Sequence, residues 1–149
     1  MAITLLNALQ ELDQRYPYMF ERARGKLFFT LGLMPILIWA CDEIDTVLGI
    51  DKRGFHWFRL RMKGGYICLY YDLEPSPPAL TSAIACIVAR AVKEAEKTCF
   101  VCGMPAFMHW WYWGEMTLCK THQPVDDNDQ CWYPQWVDLA MEPQVDMDD

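Results

Sequence analysis

Membrane-length hydrophobicity is missing from this chain. A spanning helix needs about eighteen to twenty consecutive apolar residues, and the longest apolar stretch, Leu31–Cys41, is shorter and runs straight into acids. The first residues lack a basic start followed by an apolar stretch, so no secretory signal is expected and a cytoplasmic setting is the expectation. Catalytic signatures are equally scarce. There is no glycine-rich phosphate loop, no nucleophile elbow and no His-Glu-x-x-His helix. Histidine occurs three times, and only His56 lies outside the C-terminal third. These absences argue against an enzyme. No internal repeat or low-complexity run is found either.

Positive charge is also in deficit. The 149 residues carry 13 Lys and Arg against 20 Asp and Glu, a net charge of −7. That balance disfavours general affinity for phosphate backbones, which needs concentrated cations, so direct nucleic-acid binding is not expected. One local exception is the group Arg53, Arg59, Arg61 and Lys63, read as the solvent side of a hairpin. A hydrophobic content of 53% excludes an entirely disordered chain, and the length suits one domain with a real core.

What the chain does have is a cysteine–histidine constellation near its end. Cys99 and Cys102 form a Cys-x-x-Cys pair, sixteen residues follow, and Cys119 and His122 form a Cys-x-x-His pair. Two close pairs joined by a short stretch have the spacing of a four-ligand zinc site. A Cys-x-x-Cys turn lets two thiolates bind one cation, and a hairpin returns the second pair to it. With all four positions supplied by protein, such a metal is structural. Gly103 and Gly114 suit the turns required. Disulfides fit less well because His122 cannot take part, and a redox Cys-x-x-Cys needs no returning pair. His109 is the alternative fourth ligand. Of the other cysteines, Cys41, Cys68 and Cys86 read as buried thiols in apolar stretches, and Cys131 lies in the tail.

Periodicity predicts an α+β fold with three helices, a short antiparallel sheet and a C-terminal zinc ribbon. Residues Ile3–Tyr16 read as an amphipathic helix stopped by Pro17, with Leu5, Leu6, Leu9 and Leu12 on one face. Tyr18–Phe20 reads as an aromatic connection, and Leu27–Leu33 as either a strand or a buried loop. A second helix is expected over Pro35–Leu48, with Ile36, Leu37, Ala40, Ile44, Val47 and Leu48 inside, Asp42, Glu43 and Asp45 on a solvated side, and Gly49 as cap. Alternation over His56–Asp72 predicts a hairpin about Gly64-Gly65. One face is Phe58, Leu60 and Met62, the other Trp57, Arg59, Arg61 and Lys63. After a proline linker a third helix is expected over Pro78–Lys97, leading into the metal knuckle. The organisation expected is a helical and hairpin body (1–97), a ribbon packed on it (98–122) and a tail (123–149).

Two segments are candidate contact surfaces. Between the ligand pairs lie Trp110, Trp111 and Trp113, which either pack the ribbon on the body or form a patch for a partner. From Gln123 to Asp149 there are seven Asp, one Glu and no Lys or Arg, interrupted by Trp132, Tyr133, Pro134 and Trp136. This acidic aromatic segment reads either as a tail held on its own ribbon or as an arm for a basic protein surface. The expected partner-binding residues are Trp110, Trp111, Trp113, Asp126, Asp127, Asp129, Trp132 and Trp136.

The motif order resembles a group of small zinc-ribbon proteins of bacteria and their phages. The matching stretches are Arg59–Tyr71, Thr98–Pro105 (T-C-F-V-C-G-M-P) and Thr117–His122 (T-L-C-K-T-H). Within the hairpin, Tyr66 and Cys68 depart from that pattern. The resemblance implies a zinc site at Cys99, Cys102, Cys119 and His122 and a phage or prophage setting in a bacterial host cell. It implies no activity. Two readings follow. The first is a non-enzymatic, zinc-stabilised protein-interaction module, such as a phage-encoded inhibitor of a host complex for nucleic-acid handling or defence. It is favoured by the acidic charge and surplus tryptophan. The second is a nucleic-acid-binding zinc ribbon using the hairpin cations and ribbon aromatics.

Overall fold

A computed structural model describes residues 5–23, 29–50, 54–63, 66–111 and 114–123. The fold is α+β, with four helices and two separate two-stranded antiparallel sheets among these residues. Helix α1 (Leu5–Arg15) buries Leu9 and Leu12, as its periodicity requires. Pro17 does end α1, but it also opens a short helix, α2 (Pro17–Phe20), where an irregular connection was expected. The ring presets φ for a first helical position, where its missing N–H costs nothing. One turn of helix then buries Met19 and Phe20.

Of the segment expected as strand or buried loop, residues 27 and 28 lie outside the described residues, and Leu31–Leu33 form a 3₁₀ turn that runs into α3 (Met34–Leu48). Gly49 closes α3 at φ 69°, as a glycine past a helix end commonly does. The inner stripe is Met34, Leu37, Ala40, Cys41, Ile44 and Leu48, whereas Val47 is exposed. The expected solvated acids of α3 are only partly that. Tyr16 Oη donates to Asp42 Oδ1 at 2.5 Å and Tyr18 Oη donates to Asp45 Oδ1 at 2.6 Å, and His56 Nδ1 lies 2.8 Å from the Tyr18 carbonyl oxygen. These bonds fasten α1–α2 across α3. Burial and then the Asp42 hydrogen bond push the Tyr16 hydroxyl up to about 12, and burial and the Asp45 bond push Tyr18 up as well.

A folded-state value raised above the ordinary 10.0 means that the unfolded chain releases this proton first. The fastening is therefore complete below pH 10 and is lost as pH rises toward 12. We expect Tyr18→Phe to cost about 1–2 kcal/mol at neutral pH, because a half-buried hydrogen bond to a carboxylate is removed. Urea unfolding at pH 7.5 and pH 11 reads both effects: the variant's deficit shrinks at the higher pH.

Strands β1 (Phe55–Lys63) and β2 (Tyr66–Leu73) pair antiparallel, with an irregularity between Trp57 and Arg59. This corrects the expected faces. A bulge inserts one residue and shifts the alternation. Trp57 is therefore fully buried rather than sharing the cationic face, and Phe58 is 43% exposed rather than apolar and inward. Trp57 packs edge-on to Phe55 and Tyr71 and donates from Nε1 to Cys41 Sγ at 3.4 Å. Burial raises the Cys41 thiol to about 12, which suits the inert thiol expected there. Cys68 and Cys86 differ from expectation, being half-buried and exposed.

Helix α4 (Pro78–Ala95) lays Ile84, Val88, Ala91 and Ala95 against α3 and β2. The second sheet, β3 (Phe107–Trp111) with β4 (Gly114–Leu118), follows, and a single turn over Lys120–His122 ends the described chain. Cys99, Phe100, Ala106, Met116 and Leu118 join the same buried cluster as the helices. No described helix is long and apolar enough to cross a membrane.

Candidate metal centre

The site is built by two tight turns presented by one short sheet. Helix α4 ends, Thr98 bridges to Pro105, and residues 99–104 form the first turn. The Gly103 N–H donates to the Cys99 carbonyl at 2.9 Å, and the Cys99 N–H donates to the Met104 carbonyl at 2.8 Å. Gly103 sits at φ 82°, a conformation in which a side chain is strained. The second turn is Cys119–His122, closed by the His122 N–H on the Cys119 carbonyl at 3.0 Å. Pairing of Phe107 with Leu118 at the base of the β3–β4 hairpin brings the two turns together, and the Phe100 N–H donates to the Thr117 carbonyl at 3.1 Å.

Cys99, Cys102, Cys119 and His122 accordingly converge. Their ligand atoms lie within 4.8 Å of one another. Cys102 Sγ is 3.6 Å from Cys119 Sγ, and His122 Nδ1 is 3.7 Å from Cys99 Sγ and 3.2 Å from Cys119 Sγ. A tetrahedral ion with metal–sulfur bonds of about 2.3 Å and a metal–nitrogen bond of about 2.0 Å sets its ligand atoms about 3.5–3.8 Å apart. The 3.6 and 3.7 Å distances fit that figure, and the His122–Cys119 distance of 3.2 Å is somewhat shorter. They do not fit a disulfide, whose sulfurs sit about 2.05 Å apart, and the three cysteines are free thiols.

Electrostatics favour cation capture. Burial pushes the Cys102 thiol up to about 11, against the Met104 backbone N–H and together with hydrogen bonds to the Cys119 and Cys99 thiols. Burial acts upward on Cys119 too, but the His122 ring and backbone N–H, with the neighbouring thiols, outweigh it and hold the group at about 6. Thiolates crowded this closely repel one another unless a cation sits among them. Backbone N–H groups directed at the sulfurs spread the charge that remains.

The other expected site residues fare differently. Trp110 and Trp111 lie on β3, opposite Glu115 and Gly114, and His109 pairs with Met116; their side chains fall outside the description, as does Trp113 altogether. Asp126, Asp127, Asp129, Trp132 and Trp136 also lie outside the described residues. Met104 and Phe107 expose apolar surface beside the site.

Sequence reasoning missed Gly32. Its N–H donates to the Phe100 carbonyl at 3.0 Å, and a Cβ built there would lie 2.2 Å from the Cys99 oxygen. A Cβ at Gly103 would in turn lie 3.0 Å from the Gly32 oxygen. The first metal turn thus docks on the start of α3 backbone to backbone, glycine facing glycine. A lone Gly between two leucines (Leu31-Gly32-Leu33) was the available signal. Compared with protein-family profiles, curated proteins and solved structures, the chain matches none.

Proposed function

We propose that this chain is a non-enzymatic, zinc-stabilised protein-interaction module. The observation that carries the proposal is the closed Cys3His donor set. Three thiolates and one imidazole are the ligand chemistry of structural zinc, and with four protein donors no position is left for water or substrate. In this reading residues 98–122 are a zinc ribbon, and the acidic aromatic segment after His122 meets a basic surface on a protein partner. The resemblance to zinc-ribbon proteins of bacteria and phages supports a bacterial host cell as the setting, and the acidic charge and surplus tryptophan support inhibition of a host nucleic-acid-handling or defence complex.

Two measurements on one pair of proteins test this. Elemental analysis of the full chain and of a chain ending at His122 is expected to give one zinc per molecule in both. A pull-down from bacterial lysate is expected to capture a protein with the full chain that is released by salt and absent with the shortened one. A shortened chain that keeps the partner removes the tail from the proposal. A full chain purified without chelator and free of zinc removes the metal.

A further inference from the structure

The bulge in β1 takes Trp57 off the cationic face that alternation predicts and leaves Phe58 exposed beside it. Along the outer face of β1 stand Arg59 and Arg61, opposite Tyr70 and Cys68 on β2, and Tyr66 pairs in register with Lys63. One row is cationic and the adjacent row is dominated by aromatics. Tyr66 and Tyr70 are each 46% exposed, and bulged Phe58 adds a third exposed ring beside Arg59. Among the described residues neither Arg59 nor Arg61 forms an ion pair, and Arg61 Nε has no hydrogen-bond acceptor.

Charge is segregated to match. Residues 52–71 hold five of the 13 Lys and Arg and no Asp or Glu. The hairpin itself, Phe55–Leu73, holds Arg59, Arg61 and Lys63 against Asp72 and is +2, while ten cations against 19 acids leave the rest of the chain at −9. The net charge of −7 conceals this cationic stretch.

We propose that the outer face of the β1–β2 hairpin binds single-stranded nucleic acid. Parallel rows of cations and aromatics suit a strand lying along the sheet, with phosphates over Arg59 and Arg61 and bases stacked on Tyr66 and Tyr70. Residues i and i+2 on one strand face are about 7 Å apart, a spacing that an extended nucleotide chain can follow. A duplex presents its phosphates but keeps its base faces stacked inside, so it gains nothing from the tyrosine row. The aromatic row also favours nucleic acid over an acidic protein, which would need only the cations. This surface shares no residue with the Cys3His site or with the acidic segment, and its binding does not rest on the protein-interaction reading.

Fluorescence anisotropy of the full-length, metal-loaded protein tests it, with a labelled dT12 strand, the same length of duplex, and polyglutamate as the acidic-polypeptide probe. We expect dT12 to bind at 50 mM salt and to bind at least tenfold more tightly than the duplex. Tyr70→Ala is expected to weaken dT12 about tenfold, in the range for one lost base–aromatic stack, and Tyr70→Phe to retain most of the binding. Arg59→Ala should weaken binding and flatten the salt dependence by about 0.7 per lost phosphate contact. Circular dichroism and zinc content confirm that each variant is folded. The proposal is overturned if dT12 does not bind, if the duplex binds equally well, if polyglutamate competes with dT12 mole for mole of charge, or if folded Tyr70→Ala binds dT12 unchanged.

Discussion

If the Cys3His set holds the zinc proposed for it, removing that ion is expected to abolish the structure of residues 98–122 and to lower the stability of the whole chain. The four ligands come from two turns that are held to each other by a hairpin of two five-residue strands and a few backbone bonds. A two-stranded hairpin of that length is marginal in water on its own. Structural zinc contributes about 10–16 kcal/mol in comparable small sites at neutral pH, as much as the total stability of an ordinary domain. The loss does not stop at the ribbon, because Cys99, Phe100, Met116 and Leu118 are buried in the core shared with α3 and α4. Without the metal those side chains leave the core or hold it open. Chelator titration should therefore release one equivalent of zinc and lower the melting temperature of the entire protein, with Cys102→Ser doing the same without chelator. Acid should act in the same direction, since three thiolates and a neutral imidazole must all give up protons to bind metal. An unchanged melting temperature after complete zinc removal would refute a structural role.

The metal cluster was legible from spacing alone, because two chelating pairs constrain geometry whatever the surrounding fold does. The helices α3 and α4 were legible for a related reason: each carries several apolar residues at helical period, and the structure buries Leu37, Ala40 and Ile44, and Ile84, Val88 and Ala91. What escaped sequence reasoning was everything set by a single residue against a distant partner. Trp57 and Phe58 exchanged faces because one bulge reverses an alternation, and nothing local marks where a bulge falls. Asp42 and Asp45 resembled a solvated helix side until Tyr16 and Tyr18, 26 and 27 residues away in sequence, were seen to donate to them. Cys86 resembled a core thiol because small apolar residues surround it in sequence, yet α4 presents that position to solvent.

Gly32→Ala is expected to be among the most damaging single-methyl changes this protein can carry. The added Cβ would lie 2.2 Å from the Cys99 carbonyl oxygen and 2.6 Å from the Phe100 carbonyl carbon and oxygen. All three are backbone atoms, so no side-chain rotation relieves the overlap. Phe100 is buried beside them, and its carbonyl accepts the Gly32 N–H, so the turn cannot retreat without giving up that bond. On the other side Gly32 sits in the 3₁₀ turn that runs into α3, and Leu33 of that turn and Met34, the first residue of α3, are buried. Either the metal turn lifts from the body or the start of α3 shifts, and both expose core. Overpacking of this kind costs about 3 kcal/mol or more when backbone must move. Gly49→Ala is the control: a Cβ there meets nothing within 4 Å, although φ is also positive, so its cost is backbone strain alone. That cost is about 1–2 kcal/mol. Denaturant unfolding of the two variants should rank Gly32→Ala well below Gly49→Ala, with weakened zinc retention in the first only. Equal losses would mean that the glycine-to-glycine contact does not join the metal turn to the helical body.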